Sequence, residues 1–105
     1  MAVRAITMEK LEQRAGEAAQ LMKLLANETR LLILCRLVSE REMSAGAIVA
    51  AVGLAQSAVS QHLAKLRDDA LVATRRDGQT IHYRIADKNV ARIISVLKDI
   101  YCRDD

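Results

Sequence analysis

The stretch VGLAQSAVSQHL at residues 52–63 decides the fold, because it joins two short helical patterns through a glycine-centred turn. Before the turn, Ser44 is a plausible N-cap for a short helix over residues 45–52, which Gly53 terminates. After the turn, a second helix runs from about Gln56 to Arg67. The buried face of this second helix is predicted to consist of Ala58, Val59, Leu63 and Leu66.

Downstream of this pair, the hydrophobic period changes from helical to alternating. Residues 71–86 alternate in the manner of two strands, and the turn-forming sequence Arg76-Asp77-Gly78-Gln79 separates them, so a β-hairpin is predicted. The flanking segments return to helical spacing. One helix is expected over residues 8–25, a largely apolar one follows Asn27 through Leu37, and Asp87 caps a last helix.

The predicted order is α-α-α-α-β-β-α, which makes the chain mainly α with one hairpin. Two short helices around a glycine turn, followed by a hairpin, describe a winged helix-turn-helix. We expect one domain over residues 1–105, with the helix-turn-helix at 44–67 and the wing at 71–86. The terminal helices 8–25 and 88–102 have apolar faces with little to pack on, so they predict a homodimer.

Composition narrows the class further. The 105 residues are 51% hydrophobic but only 2% aromatic, and there is no proline, which favours one aliphatic core built from long helices. No apolar stretch approaches the ~20 residues of a membrane span, and the N-terminus lacks a signal-peptide pattern. We therefore expect a cytoplasmic protein with no membrane partner and with reduced thiols.

The net charge of +3 is mild, and most of the excess belongs to residues 61–84. The helix over 56–67 carries a polar face opposite its buried one. Glutamine can pair bidentately with adenine, and serine can bond to base edges or phosphate, so this face suits the major groove of DNA. The alternative is an ordinary solvated face. The polar face consists of Gln56, Ser57, Ser60, Gln61 and Lys65.

The sequence resembles the ArsR/SmtB winged-helix transcriptional regulators over nearly its whole length. The resemblance rests on LANETRL at 25–31, the stretch from Gly53 to Leu66 with SQHL at 60–63, and DGQTIHYR at 77–84. It implies a regulator, a repressor in our interpretation, that binds an inverted-repeat operator in double-stranded DNA. One departure is Ala55, where a Ser or Thr cap is common, and its absence weakens the helix start by about 1 kcal/mol.

The same resemblance assigns roles to individual side chains. Gln56, Ser57, Ser60 and Gln61 are expected in the major groove. Arg75, Arg76 and Gln79 are expected to bring the wing to the DNA backbone or minor groove. His62 is expected to pack or to contact phosphate, and His82 to be a cross-strand partner.

Metal, cofactor and enzyme chemistry find little support in the residues. In the family that this sequence resembles, arsenic and cadmium sensors place cysteines in the helix that corresponds to 45–52, and zinc sensors use histidine on the last helix. Here the helix at 45–52 has no cysteine and the last has no histidine. The two scattered His and two Cys form no recognisable tetrahedral set. There is also no Cys-x-x-Cys or catalytic triad pattern, so no enzyme and no cofactor is expected. A regulator triggered by general oxidants or by a metal remains an alternative, as does a thiol oxidoreductase.

Cys35 and Cys102 are the remaining candidates for chemistry. Both could be inert apolar fillers, although Cys102 lies near Lys98 and Arg103, whose charges favour the thiolate. Their positions resemble the persulfide-sensing branch of the family. That resemblance implies that reactive sulfur species link Cys35 to Cys102 within one subunit and thereby change DNA affinity.

Overall fold

A computed structural model describes residues 2–102, with backbone alone for residues 2–7. Six helices and three short strands follow one another in this part of the chain. They are α1 (Ala2–Gln13), α2 (Ala15–Leu25), α3 (Glu28–Glu40), β1 (Met43–Ser44), α4 (Ala45–Val52), α5 (Gln56–Asp68), β2 (Val72–Asp77), β3 (Thr80–Ile85) and α6 (Lys88–Tyr101). The predicted fold class, mainly α with an antiparallel hairpin after a helix-turn-helix, is confirmed.

Three predicted N-caps form as hydrogen bonds. The Asn27 side chain accepts from the Arg30 amide at 3.1 Å, Ser44 from the Ala47 amide at 3.1 Å, and Asp87 from the Asn89 amide at 2.8 Å. Each satisfies a backbone donor that the helix itself cannot pair. The core beneath is aliphatic and draws on every element from α2 to α6 except β1 and β3. It comprises Leu25, Ile33, Leu34, Leu37, Ile48, Val59, Leu63, Leu66, Leu71, Val72, Val90 and Ile94.

The single helix expected over residues 8–25 is wrong, because the chain breaks at Arg14 into α1 and α2. Arg14 leaves helical geometry (φ −109°, ψ 16°), and its guanidinium pairs with Glu17 in the first turn of α2 at 2.7 Å. Gly16 follows two residues later, and glycine lowers helix propensity at this point. Only Arg14 lies between the two helices, so the spacing of the apolar positions is nearly unchanged across the break. Hydrophobic periodicity therefore does not reveal it.

The hairpin gains a third strand that the sequence pattern did not predict. Met43 and Ser44 pair with Tyr83 and His82, giving an antiparallel sheet of order β1-β3-β2. The β2–β3 loop is Gly78-Gln79, and Gly78 has φ +63°, typical of a type II′ turn whose first position favours glycine. Ser44 ends β1 and also caps α4, so the sheet and the helix-turn-helix meet at one residue.

The two ends of α5 are locally weak. Ala55 stands at its N-cap position and offers no side-chain bond, while the chain leaves its C-terminus through Ala70 at φ +60°. Bonds from the Leu71 amide to the Leu66 carbonyl (2.9 Å) and from the Ala70 amide to the Arg67 carbonyl (3.0 Å) form a Schellman motif. Glycine usually occupies the left-handed position of that motif, and alanine there is strained.

The axes of α4 and α5 bend by 118° across the Gly53 turn, within the range of about 90–120° typical of a helix-turn-helix. Gly53 takes the left-handed conformation (φ +69°) that ends α4. Within residues 2–102, no single helix has the length and apolar character needed to cross a membrane.

Candidate DNA-binding surface and dithiol site

The helix α5 divides cleanly into a buried and an exposed face. Its inner face is buried in the core and holds the helix in place through Val59, Leu63 and Leu66. The polar residues predicted to reach DNA lie on the opposite side, and five of them are exposed: Gln56, Ser57, Ser60, Gln61 and Lys65. The first four gather in the first two turns of the helix, where short side chains allow a close approach to a groove.

His62, the sixth α5 residue predicted to contact DNA, is only partly exposed and is held from within the fold. Arg30 Nε donates to His62 Nδ1 at 3.4 Å, while Arg30 Nη1 donates to the Leu24 carbonyl at 3.0 Å. One arginine therefore ties α2, α3 and α5 together. Because Nδ1 accepts this bond, the neutral ring carries its proton on Nε2, which is a donor.

Lys65 is paired within its own helix turn rather than free. Its ammonium lies 3.3 Å from Asp69 Oδ2, an i, i+4 ion pair at the C-terminal end of α5. Asp69 is the less exposed partner, so the lysine partly neutralises a carboxylate close to the core. Lys65 therefore has a local partner that competes with any phosphate.

The wing carries its basic residues on two faces of the sheet. Residues directly paired across strands share a face, so Arg75 lies with His82 and Ser44, while Arg76 lies with Ile81 on the other face. Arg76 Nε donates to the Gly78 carbonyl at 3.2 Å, which holds its guanidinium near the loop. Gln79 is exposed in the loop itself.

The Arg75 side chain points away from the Gly78-Gln79 loop and forms an ion pair with Glu42, which precedes β1. Arg75 Nε lies 2.9 Å from each carboxylate oxygen of Glu42, and Nη2 lies 2.6 Å from Oε1. These bonds lower the pKa of Glu42 below its ordinary value of 4.5, with His82 and Arg84 adding to the effect, and they raise the pKa of Arg75. Arg75 is thus engaged although its side chain is half exposed.

The two cysteines lie on facing helices of the same subunit and are both free thiols. Lys98 Nζ donates to Ser39 Oγ at 2.9 Å, which joins α6 to α3. Cys35 precedes Ser39 by one helical turn, and Cys102 follows Lys98 by one turn. Each cysteine therefore lies about one helical turn from this contact between α3 and α6.

The two thiols differ in environment. Cys102 is exposed at the end of α6, whereas Cys35 is half-buried and packs against the core. Burial raises the pKa of Cys35 above its ordinary value of 9.0, the nearby Cys102 raises it further, and Lys98 lowers it. The effect of Cys102 on the pKa of Cys35 indicates that the two groups lie within electrostatic reach of each other. The pair therefore consists of one accessible sulfur and one sheltered sulfur.

The terminal helices leave apolar side chains uncovered. Val90 and Ile94 of α6 are buried, but Val96 is 56% and Ile100 57% exposed on another face, and Tyr101 at the end of the helix is 80% exposed. Met8, Leu11 and Met22 on α1 and α2 are likewise about half exposed. Burying such a surface is favourable by roughly 25 cal/mol for each Å² of apolar area.

For metal binding, no three His, Cys, Asp or Glu side chains are grouped anywhere in residues 2–102 in a way that could hold an ion. His62 and His82 lie on different elements, α5 and β3.

Sequence reasoning missed three side chains that organise these sites: Arg30, Ser39 and Glu42. Each acts on a residue 32, 59 or 33 positions away, respectively. Periodicity and local motifs report neighbours within a turn or two, so they contain no signal for such contacts. Arg30 alone lies in a motif, LANETRL, that the sequence singled out.

A bent pair of short helices with a buried inner face, an exposed polar face and a basic wing defines a winged-helix regulator. A family model described as "Bacterial regulatory protein, arsR family" matches residues 27–74. The chain is 43% identical to the HTH-type transcriptional regulator YgaV of Escherichia coli over 95 residues, covering 90% of this chain and 96% of YgaV. It therefore belongs to the arsR family.

Two further relatives are similar in sequence and structure. The transcriptional activator HlyU of Vibrio cholerae is 41% identical over 98 residues, 93% of this chain and 90% of HlyU. Its reduced form superimposes with a TM-score of 0.83 over 90% of this chain and 99% of that one, at 42% identity. The structure of the transcriptional repressor BigR of Xylella fastidiosa superimposes with a TM-score of 0.85, over 92% of this chain and 98% of that one, at 37% identity. These relatives are transcriptional regulators.

Proposed function

We infer that this protein is a homodimeric transcriptional repressor that binds an inverted-repeat operator and loses affinity when Cys35 and Cys102 become linked. The exposed polar face of α5 above a buried apolar face is the observation that carries the DNA-binding part. The relatives named above are regulators, and BigR is a repressor, which supports the same class of activity. Gln56, Ser57, Ser60 and Gln61 read bases, while Arg76 and Gln79 approach the backbone from the wing.

The second copy of the chain covers the apolar faces of α1, α2 and α6. Val96 and Ile100 lie on the same uncovered side of α6, away from the buried Val90 and Ile94. Pairing through a two-fold axis would set two α5 helices at the spacing of successive major grooves, roughly 34 Å. Two copies also match the symmetry of an inverted repeat.

The asymmetry of the dithiol supports a stepwise reaction with an organic polysulfide, RS–Sn–SR. The exposed Cys102 loses its proton to solvent, and its thiolate attacks one end of the sulfur chain and expels RS⁻. This leaves Cys102 carrying –Sn–SR. The Cys35 thiolate then attacks the distal chain sulfur and expels a second RS⁻. Both cysteines are oxidised, the polysulfide is reduced, and the product is a Cys102–Sn–Cys35 bridge.

The inserted sulfurs bear on selectivity. A direct disulfide requires Cα atoms about 4.4–6.8 Å apart, whereas a longer chain spans a wider gap. Peroxide oxidises thiols without supplying sulfur, so it can close only the direct disulfide. A bridge to Cys35 would tie α3 to α6, the helix that also supplies the dimer surface. The resulting shift between subunits would move the two α5 helices out of register with DNA.

Binding to the protein's own upstream DNA, followed by mobility shift, tests this function. Reduced, peroxide-treated and polysulfide-treated protein are compared, and mass spectrometry identifies the sulfur species on Cys35 and Cys102. We expect binding by the reduced form, release after polysulfide, and a mass that corresponds to inserted sulfur. Equal release by peroxide would favour the alternative of a general oxidant sensor.

Single Cys35→Ser and Cys102→Ser variants complete the test. Both should bind DNA in the reduced state and both should fail to release it after polysulfide treatment. Release that persists in both variants would overturn the intramolecular bridge. Light scattering on Ile100→Asp, with the exposed Lys88→Asp as control, tests whether α6 forms the dimer contact.

A further inference from the structure

The carboxylate of Glu42 sits among basic side chains on the outer face of the sheet. By strand register, Arg75 of β2 pairs with His82 of β3, which pairs with Ser44 of β1. Glu42 has the same parity as Ser44, so it shares this face with Arg75, His82 and Arg84. His82 and Arg84 both lower the pKa of Glu42, in agreement with this placement.

The hold on Arg75 is directional as well as electrostatic. Three close contacts join the guanidinium to both oxygens of one carboxylate, a planar fork geometry that lysine cannot reproduce. To reach Glu42, the Arg75 side chain extends across β3 toward the start of β1. A guanidinium aimed in that direction is aimed away from the Gly78-Gln79 loop, the part of the wing farthest from the core.

We propose that Glu42 sets the electrostatic strength of the wing by holding Arg75 on the sheet and away from phosphate. This inference rests on the DNA binding proposed above and requires neither the dithiol nor the operator sequence. In the free protein, the wing then presents Arg76 and Gln79 to DNA while Arg75 stays neutralised. Removing the Glu42 charge releases Arg75 to make one more phosphate contact.

The salt dependence of binding to a random-sequence 30-base-pair duplex tests the proposal in the reduced protein. Each phosphate neutralised by an arginine steepens the plot of log affinity against log salt by about 0.9. Glu42→Gln should therefore steepen the slope by about 0.9 for each subunit in contact with DNA and tighten binding at low salt. Glu40→Gln, an equal charge change at an exposed position of α3, is the matched control and should keep the original slope.

A double variant separates release of Arg75 from simple loss of a negative charge. In Glu42→Gln/Arg75→Gln, the added slope should disappear, because the released side chain is gone. A Glu42→Gln slope equal to that of the unmodified protein, or an added slope that survives in the double variant, overturns the proposal. Absence of any duplex binding by the unmodified protein would overturn the proposed function, and this inference with it.

Discussion

The helix α5 and the helix pair α3–α6 are stabilised in opposite ways. At its ends, α5 has an uncapped Ala55 and a strained Ala70, and it depends on the buried Val59, Leu63 and Leu66 for its position. In contrast, α3 and α6 begin at side-chain caps and are joined by the Lys98–Ser39 hydrogen bond. The proposed reading helix is thus held mainly by the core, with the Arg30–His62 hydrogen bond beside it, whereas the proposed sensing helices are fixed by polar caps and by a polar contact between them.

This difference indicates where each function can be altered. The exposed polar residues on α5 can change without disturbing the core, because their side chains lie outside it. His62 is the exception, since it is bonded to Arg30 within the fold. The dithiol is different, because Cys35 packs against the core, so a substitution of Cys35 also alters the packing of α3. The following predictions test this division, from the largest expected effect to the smallest.

Gln61→Ala should weaken operator binding about 10- to 100-fold, because a bidentate pair with a base is worth roughly 1–3 kcal/mol. Thermal stability should be unchanged, since Gln61 is exposed. Fluorescence anisotropy with the upstream DNA and with an unrelated duplex measures both affinities. Gln79→Ala is the comparison variant and should weaken binding to both duplexes alike. If Gln61→Ala also did so, Gln61 would be a backbone contact and the base-reading role would fail.

Lys98→Met should slow closure of the Cys35–Cys102 bridge severalfold at neutral pH, because loss of the ammonium raises the pKa of Cys35 and lowers its thiolate fraction. Lys98 lowers the pKa of Cys35, so the pH–rate profile should move to higher pH in the variant. Stopped-flow mixing with polysulfide measures the profile. The control is Lys88→Met at the other end of α6, and a profile identical to that control would contradict the role of Lys98.

Ala55→Ser should stabilise the protein by about 1 kcal/mol, because a serine at this position can accept from an unpaired amide of the first turn of α5. Denaturant unfolding at fixed protein concentration measures the gain. Ala64→Ser, an exposed position within the same helix, should instead be slightly destabilising. Equal effects of the two changes would show that the start of α5 does not need a cap.

Glu42→Gln should lower the thermal stability only slightly, and the size of this loss should depend on pH. The folded-state pKa of Glu42 is lowered, so the stabilisation from Arg75 is complete above the ordinary value of 4.5 and is lost as pH falls through the folded-state value. The gap in melting temperature between the unmodified protein and the variant should therefore narrow on acidification to about pH 3. A constant gap would contradict a charged pair at this site.

Much of the fold could be predicted from local signals. The caps Asn27, Ser44 and Asp87 follow from residue type beside an apolar repeat, and the hairpin follows from alternation around Gly78. The break at Arg14 and the two-residue strand β1 could not be predicted in this way. Each is too short to produce a period, and β1 exists only because β3 lies beside it.

The candidate sites divide along the same line. The polar face of α5 is contiguous, so its residues are visible in one stretch of sequence. The partners Glu42 of Arg75 and Ser39 of Lys98 come from distant elements, and only folding brings them together. The contribution of Cys35 and Cys102 to one site was suggested by resemblance, since no spacing rule connects two helices so far apart in the chain.

Ser44 joins the sheet directly to the helix-turn-helix, with no linker residue between them. It pairs with His82 as the last residue of β1, and its hydroxyl accepts from the Ala47 amide at the start of α4. Because this one residue belongs to both elements, we expect the wing and α4 to move together. A subunit should therefore leave DNA as a unit, with wing and reading helix departing in one kinetic step. Dissociation traces that followed a fluorophore on Gln79 and another on Gln56 would then share a single rate.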